Sequence, residues 1–408
     1  MVQNPAGSAE GSMTRRQPSV VFVQFGDYAG AVHRFASGLG ETYYAQRYSV
    51  DLVEKLPATC GPTTVITVAK PAADEVLPSG VRCIGLPEIP WNARTSGNVL
   101  RRLKEISPTS VIVRYPCLPI IRWCLREGVR VLPFLADSFR RLPLSRRIHL
   151  WRLARVLNQP GIDFVANHQL DASRDLVRVG VSAKKILPWD WPRFQSPADF
   201  PPKLAPREPG KLSVAYAGAV VEEKGVGDLI RAIAILRRGG NDASAALMGT
   251  GKLDEFQALA RSLGVADHVR FLGQVTHDDV IATMRECDVV TVPSHHAYGE
   301  GLPMAIIDGF ISRSPLVISD HPMFVARLRG DRAVSIFPQK DPAALAECLK
   351  TLADDQDRYR SQSAASEATW GRLGVPLVAG DLWARWLSGT PEDLGWLSQY
   401  SLATYPYS

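Results

Sequence analysis

The sequence predicts an α/β protein made of two Rossmann-like domains that face each other across a cleft. Short apolar, β-branched runs alternate with helical segments from residue 19 to residue 187, and the alternation restarts at residue 211. Between the two stretches, residues 188–210 hold seven prolines: Pro188, Pro192, Pro197, Pro201, Pro202, Pro206 and Pro209. Strands alternating with helices form a parallel sheet covered on both faces. Proline at that density leaves no regular element standing, so the segment reads as an interdomain linker. A chain of 408 residues suits two or three domains better than one.

In the first domain, residues 19–25 form a strand that meets a loop at Gly26, and a helix is expected from there to about residue 47. Strands follow at 63–69 and 81–85, then a helix at 99–106 and a strand at 110–115. A helix at 119–127 leads to a strand at 129–135; another strand at 162–166 precedes a helix at 171–179. In the second domain the expected strands are 212–217, 244–248, 268–272, 288–294 and 315–319. The helices are 225–238, 253–263, 278–286 and 342–352. Trp383, Trp386 and Trp396, among Leu382, Leu387 and Leu394, predict one or two closing helices. The expected organisation is a flexible N-terminus at 1–18, a first domain at 19–187, the linker, a second domain at 211–375 and a helical segment at 376–408. Ligands of such sheets bind beyond the carboxyl ends of the strands, which gathers the loops at Gly26, Gly218, Gly249 and Glu300 around one cleft.

Composition narrows the class. Hydrophobic residues make up 46% of the chain, enough for sizeable cores, and no apolar run reaches the roughly 20 residues of a membrane span. Residues 1–18 carry Arg15 and Arg16 but no apolar core, unlike a secretory signal. Six scattered cysteines without a Cys-x-x-Cys pair suit reduced thiols in the cytoplasm. Net charge is uneven: residues 1–205 hold 27 Lys and Arg against 16 Asp and Glu, and residues 206–408 hold 20 against 25. The basic half is expected to face something anionic. It lacks zinc or RNP-type signatures, so nucleic acid is not an expected partner.

The segment Gly299-Glu300-Gly301-Leu302-Pro303-Met304-Ala305-Ile306-Ile307-Asp308 carries the most chemistry. It follows the buried strand 288–294, so a small-residue loop opens a helix at a strand end. The first amides of a helix are unpaired and its dipole favours an anion there. Two carboxylates at such a mouth cannot bind phosphate, but they can accept hydrogen bonds from hydroxyls. Phosphate and polyol bound side by side suggest a sugar nucleotide; a solvated helix start is the plain alternative.

Glu300-x7-Asp308 resembles the Glu-x7-Glu signature of glycosyltransferase family 4, whose members are retaining transferases of GT-B fold. The resemblance covers residues 212–352 and is loose before residue 200. It implies that Glu300 contacts the donor sugar, that the loop Gly301, Leu302, Pro303 and Met304 meets sugar and phosphate through its backbone, and that Asp308 takes the ribose hydroxyls. Val214-Ala215-Tyr216-Ala217-Gly218 followed by Glu223-Lys224-Gly225 is similar to the family's glycine and Lys-Gly turn, with Lys224 on the donor diphosphate. Gly249 and Gly273 would lie at the donor as well, Gly273 on the edge that meets the base, and Gly26 would approach phosphate or acceptor. The chain departs from the family in three ways. Ala219 stands where an arginine is frequent, Asp308 is one methylene shorter than Glu, and Ala136-Asp137-Ser138 replaces a frequent histidine. Asp137 is the nearest polar candidate there, whereas His33, His168, His295 and His296 are given no role. The C-terminal helix is expected, by the same analogy, to return to the first domain.

Weaker signals are set aside. Gly249-Thr250-Gly251-Lys252 is neither a dinucleotide fingerprint nor a P-loop. Asp355-Gln356-Asp357 has Asp-x-Asp spacing in a polar, exposed setting, and no metal or cofactor is expected. The basic stretch 140–155 mixes arginines with Leu, Ile and Trp. It is either a helix docked on its own sheet or one that also touches anionic lipid at the inner face of the membrane. The implied partners are thus a nucleotide-sugar donor and a glycan or lipid-linked acceptor, in polysaccharide biosynthesis. The rival readings are a catalytically silent sugar-nucleotide-binding subunit and a sugar-nucleotide epimerase on the same scaffold.

Overall fold

A computed structural model of the chain describes residues 17–89, 95–137, 144–299 and 301–407. The first sheet has eight strands in the order β3-β4-β2-β1-β5-β6-β7-β8. They are β1 (Val20–Gln24), β2 (Thr63–Val68), β3 (Ala73–Val76), β4 (Arg82–Leu86), β5 (Ser110–Val113), β6 (Arg130–Leu135), β7 (Val165–His168) and β8 (Ile186–Trp189). All neighbours pair in parallel except β3, which lies antiparallel on β4 at the edge. Central β1 is buried along its whole length, as continuous Val-Val-Phe-Val demands of a strand covered on both faces. Its helices are α1 (Tyr28–Ala36), α2 (Gln46–Cys60), α3 (Gly97–Ile106), α4 (Leu118–Arg126), α5 (Leu144–Leu157) and α6 (Leu170–Arg178).

The second sheet has six parallel strands in the order β11-β10-β9-β12-β13-β14. They are β9 (Lys211–Ala217), β10 (Asp242–Met248), β11 (Val269–Gly273), β12 (Val289–Val292), β13 (Leu316–Ser319) and β14 (Val334–Phe337). Helices α7 (Val226–Arg238), α8 (Leu253–Ser262), α9 (His277–Glu286), α10 (Met304–Ile311), α11 (Pro322–Leu328), α12 (Pro342–Asp354) and α13 (Gln356–Arg372) cover it. Strand order reverses between β9 and β12, and a crevice opens at such a switch point.

Several sequence expectations change. The first helix stops at Ala36 instead of reaching residue 47. Gly38 turns left-handed (φ 75°), and a separate α2 begins at Gln46. The proline-rich segment is not structureless throughout, because β8 runs through Pro188 and pairs with β7. An edge strand tolerates a proline, whose missing N–H can face away from the ladder. The strand expected at 162–166 is shifted to Val165–His168. Asp355 and Asp357 are exposed, as expected, and Asp355 also serves as the N-cap of α13, its carboxylate accepting from Arg358 N at 2.9 Å.

Beyond α13 the chain crosses back beside the linker, with Asp190 N donating to Leu377 O at 2.9 Å. Helices α14 (Ala379–Ser388) and α15 (Pro391–Ser398) then pack on the first domain. The Trp383 ring lies 5.3 Å from Phe22 and 5.2 Å from Phe134, and Arg130 stacks 4.6 Å over Trp386. Both tryptophans are buried. In α5, Leu150, Leu153, Val156 and Leu157 join the first-domain core, while Ile148 and Trp151 stay about half exposed. Residues 140–143 of that basic stretch lie outside the described residues. Among the described residues, no helix is long and apolar enough to cross a membrane.

Candidate active site

A cavity of about 490 Å³ lies between the two domains. Its second-domain wall comprises Gly218, Ala219, Lys224, Gly249, Pro303, Met304 and Asp308, among others; Thr42, Tyr43, Tyr44 and Trp191 face them. The glycines are there because backbones touch. A Cβ on Gly249 would meet Gly218 O at 1.9 Å, and Gly249 N donates to Gly273 O at 2.7 Å. Gly273 thus joins the β10 and β11 ends but does not itself line the cavity.

Lys224 closes a single 3-10 turn (Glu222–Lys224), and Gly225 (φ 73°) starts α7. A Cβ on Gly225 would sit 2.1 Å from Pro293 O, so only glycine lets this turn rest on the loop after β12. Two further ties hold the same loop. His295 N donates to Glu223 O at 2.9 Å, and the buried His295 and Asp228 side chains meet at 2.8 Å. Lys224 Nζ lies 4.5 Å from the centre of the Tyr298 ring, a cation–π contact two residues before Glu300. Among the described residues lining the cavity, Lys224 is the one lysine or arginine.

Met304 and Asp308, four apart on α10, share a face and line the cavity together. Pro303 is the N-cap, so the helix opens onto the cavity with unpaired amides. The Leu302 side chain is buried in the second-domain core and anchors the loop from beneath. Gly301 does not line the cavity, and Glu300 lies outside the described residues. Asp308 is buried, and its Oδ1 is 3.1 Å from His277 Nε2. Burial pushes the Asp308 carboxyl up, with His277 partly offsetting it. For His277, burial works downward, but the hydrogen bond and charge of Asp308, with Glu41 and Asp278, hold the imidazole above its ordinary value.

Gly26 and Asp137 lie at the ends of β1 and β6, outside this cavity. Asn167 clamps the Asp137 backbone, accepting from its N–H at 3.2 Å and donating to its carbonyl at 3.0 Å. Burial raises the Asp137 carboxyl to about 6. Each of the four histidines weighed in the sequence meets a carboxylate: His33 with Glu75, His168 with Asp190, His295 with Asp228, and His296 with Asp320. Glu222, Asp228 and His295 offer three ligand atoms within 4.8 Å of one another. The Arg231 guanidinium, 3.6 Å from Glu222 and 3.7 Å from Asp228, already supplies a cation there.

Sequence reasoning missed Thr42, Tyr43, Tyr44, Trp191 and His277. The first four belong to the loop after α1 and to the linker, and carry no local motif. His277 could have been noticed as the residue after a capping threonine (Thr276, with Asp279 completing the box), but nothing local links it to Asp308.

Residues 201–369 match the family model described as Glycosyl transferases group 1. The chain is 32% identical over 158 residues to a phosphatidyl-myo-inositol mannosyltransferase of Mycobacterium leprae, covering 38% of this chain and 41% of that protein. It is 30% identical over 208 residues to a D-inositol 3-phosphate glycosyltransferase of Salinispora arenicola, 47% and 45% of the two chains. The chain thus spans about two fifths of the length of the curated relatives it matches. Among solved structures, sucrose-phosphate synthase from Thermosynechococcus elongatus superposes with a TM-score of 0.63 at 16% identity, over 91% of this chain and all of the other. Anabaena HepE in complex with UDP and glucose gives 0.63 at 13%, with the same coverage. The fold is GT-B. At these identities the likeness establishes the architecture, and the matched segment is the GT-B half that carries Lys224 and Asp308.

Proposed function

We propose that the protein is a glycosyltransferase that moves a sugar from a nucleotide-sugar donor to a hydroxyl acceptor, with retention of the anomeric configuration and without a metal ion. The observation that carries this reading is the cavity that joins Lys224, the abutting glycines Gly218 and Gly249, and the opening of α10 with Asp308. The amides and the lysine suit a diphosphate, and the carboxylates suit hydroxyls. The bond from the sugar C1 to the diphosphate oxygen breaks with its electron pair on oxygen, where Lys224 and the α10 amides stabilise the charge. The acceptor oxygen bonds to C1 on the same face, and its proton leaves with the nucleoside diphosphate. Glu300 contacts the donor sugar in this reading.

A thermal-shift panel of UDP, GDP, ADP and their sugars tests it, since a ligand that binds only the folded state raises stability. Selective stabilisation by one base family, followed by transfer or slow hydrolysis that survives EDTA, is the expected result. Binding without any turnover would favour the silent-subunit reading, which the alanine at position 219 keeps in view. The relatives' names motivate a glycan or lipid-linked acceptor. Half-exposed Ile148 and Trp151, with Arg155 4.7 Å from the Trp151 ring, supply a patch suited to an anionic membrane surface. Sedimentation with phosphatidylglycerol vesicles should retain the wild type and release Trp151→Ser; equal behaviour on neutral vesicles would remove the membrane contact.

A further inference from the structure

The first-domain wall of the cavity is a built loop, residues 37–45. Gln46 Oε1 accepts from Arg34 Nη2 at 2.6 Å, from Thr42 N at 2.9 Å and from Thr42 Oγ1 at 3.1 Å. Arg34 Nε donates to Gly40 O at 3.0 Å, and Glu41 Oε2 accepts from Arg47 N at 2.7 Å. This loop meets the second domain at the first turn of α9. His277 N donates to Glu41 O at 3.1 Å, the His277 and Tyr44 rings are 5.0 Å apart, and a Cβ on Gly40 would touch the Thr276 methyl at 3.1 Å. His277 therefore joins three parts: the first-domain loop through its backbone and ring, its own helix, and Asp308 through Nε2.

We propose that His277 is a positioning residue of the nucleoside subsite, holding the Asp308 carboxylate for the vicinal hydroxyls of the donor's ribose and tying that subsite to the first domain. The inference rests on the glycosyltransferase reading. A buried aspartate has a short arm and, without a partner, favours its neutral form. The imidazole occupies one carboxylate oxygen, fixes the rotamer and leaves the other oxygen as an acceptor. Asp308 and His277 both border the cavity, as does half-exposed Tyr43 of the first-domain loop, so a ribose at Asp308 would contact both domains.

Binding of UDP, GDP and ADP and of their 2′-deoxy forms tests this by calorimetry on the full chain. The wild type should prefer the ribose form about tenfold. His277→Phe, which keeps a ring against Tyr44 but loses the donor, should weaken ribose binding about tenfold and bind both forms alike. His277→Gln, whose amide nitrogen reaches toward Nε2, should restore the preference to within about threefold, and Asp308→Asn should lose it. In turnover, His277→Phe should raise KM for the donor with kcat changed less than threefold. Should His277→Phe fail to fold, His277→Gln and Asp308→Asn decide the matter. A His277→Phe protein with wild-type preference, or His277→Gln as indifferent to the 2′-hydroxyl as Asp308→Asn, overturns the inference. A wild type that binds nucleotides without preferring ribose overturns it too but leaves the proposed function standing, whereas a wild type that binds none removes both.

Discussion

The two walls of the cavity are built in opposite ways. The second-domain wall consists of strand-end loops. Gly218 follows β9, Gly249 follows β10, and α10 opens after β12, so each contributor sits within a few residues of a motif. The first-domain wall is a helix-to-helix loop plus Trp191 from the linker, brought in by side-chain hydrogen bonds to Gln46 and by contacts with α9. One wall is a local consequence of the chain, whereas the other depends on how remote segments dock.

Changes to the second-domain wall should therefore act on chemistry and on local backbone strain. Lys224→Ala is expected to have the largest effect, a loss of about 10²–10³-fold in transfer, the range for one preorganised charge on a developing anion. Its thermal stability should fall only modestly, by about 1 kcal/mol, as the cation–π contact with Tyr298 is lost. A steady-state assay showing less than a tenfold loss would move the diphosphate role elsewhere. Next is Gly225→Ala. The left-handed φ of 73° and the 2.1 Å approach to Pro293 O predict destabilisation by about 2–3 kcal/mol in urea unfolding. Wild-type stability there would mean that the turn and the loop after β12 are free to separate.

The smallest expected effect probes the first domain. Asp137 has a folded-state pKa of about 6 against an ordinary 3.8, raised by burial. A carboxyl raised in this way binds its proton more tightly when folded. Its contribution to stability is therefore greatest below about pH 4 and is lost as pH climbs through 6. Asp137→Asn should then stabilise the protein at pH 7.5 by up to about 2 kcal/mol, allowing for partial exposure, and hardly at pH 4. Melting curves at the two pH values check this, and equal shifts would mean that Asp137 is not charge-penalised. A carboxylate kept at such a cost to stability is a functional candidate, and the same variant's turnover reports on that.

Most strands and the alternation of the two sheets were legible because buried parallel strands must be nearly all apolar, as at Val20–Gln24 and Val289–Val292. The break between α1 and α2 was not, since nothing in Leu39-Gly40-Glu41-Thr42-Tyr43-Tyr44 announces that Gln46 will gather it. The motif at Leu302 concerned its backbone amide, and the inward turn of its apolar side chain is a separate consequence of burial. Pro188 was taken as a breaker, yet an edge position spared it.

By itself, the sequence determined that two α/β domains are joined by a proline-rich crossing and that a lysine turn and a helix start lie at strand ends of the second domain. These follow from period, turn chemistry and helix geometry, all of which act within a dozen residues. Only the tertiary structure decided that His277 holds Asp308 and that Glu41 and Tyr44 reach His277 from the other domain. Those contacts join residues tens to hundreds of positions apart, and their partners are chosen by shape and hydrogen-bond satisfaction once both domains are in place.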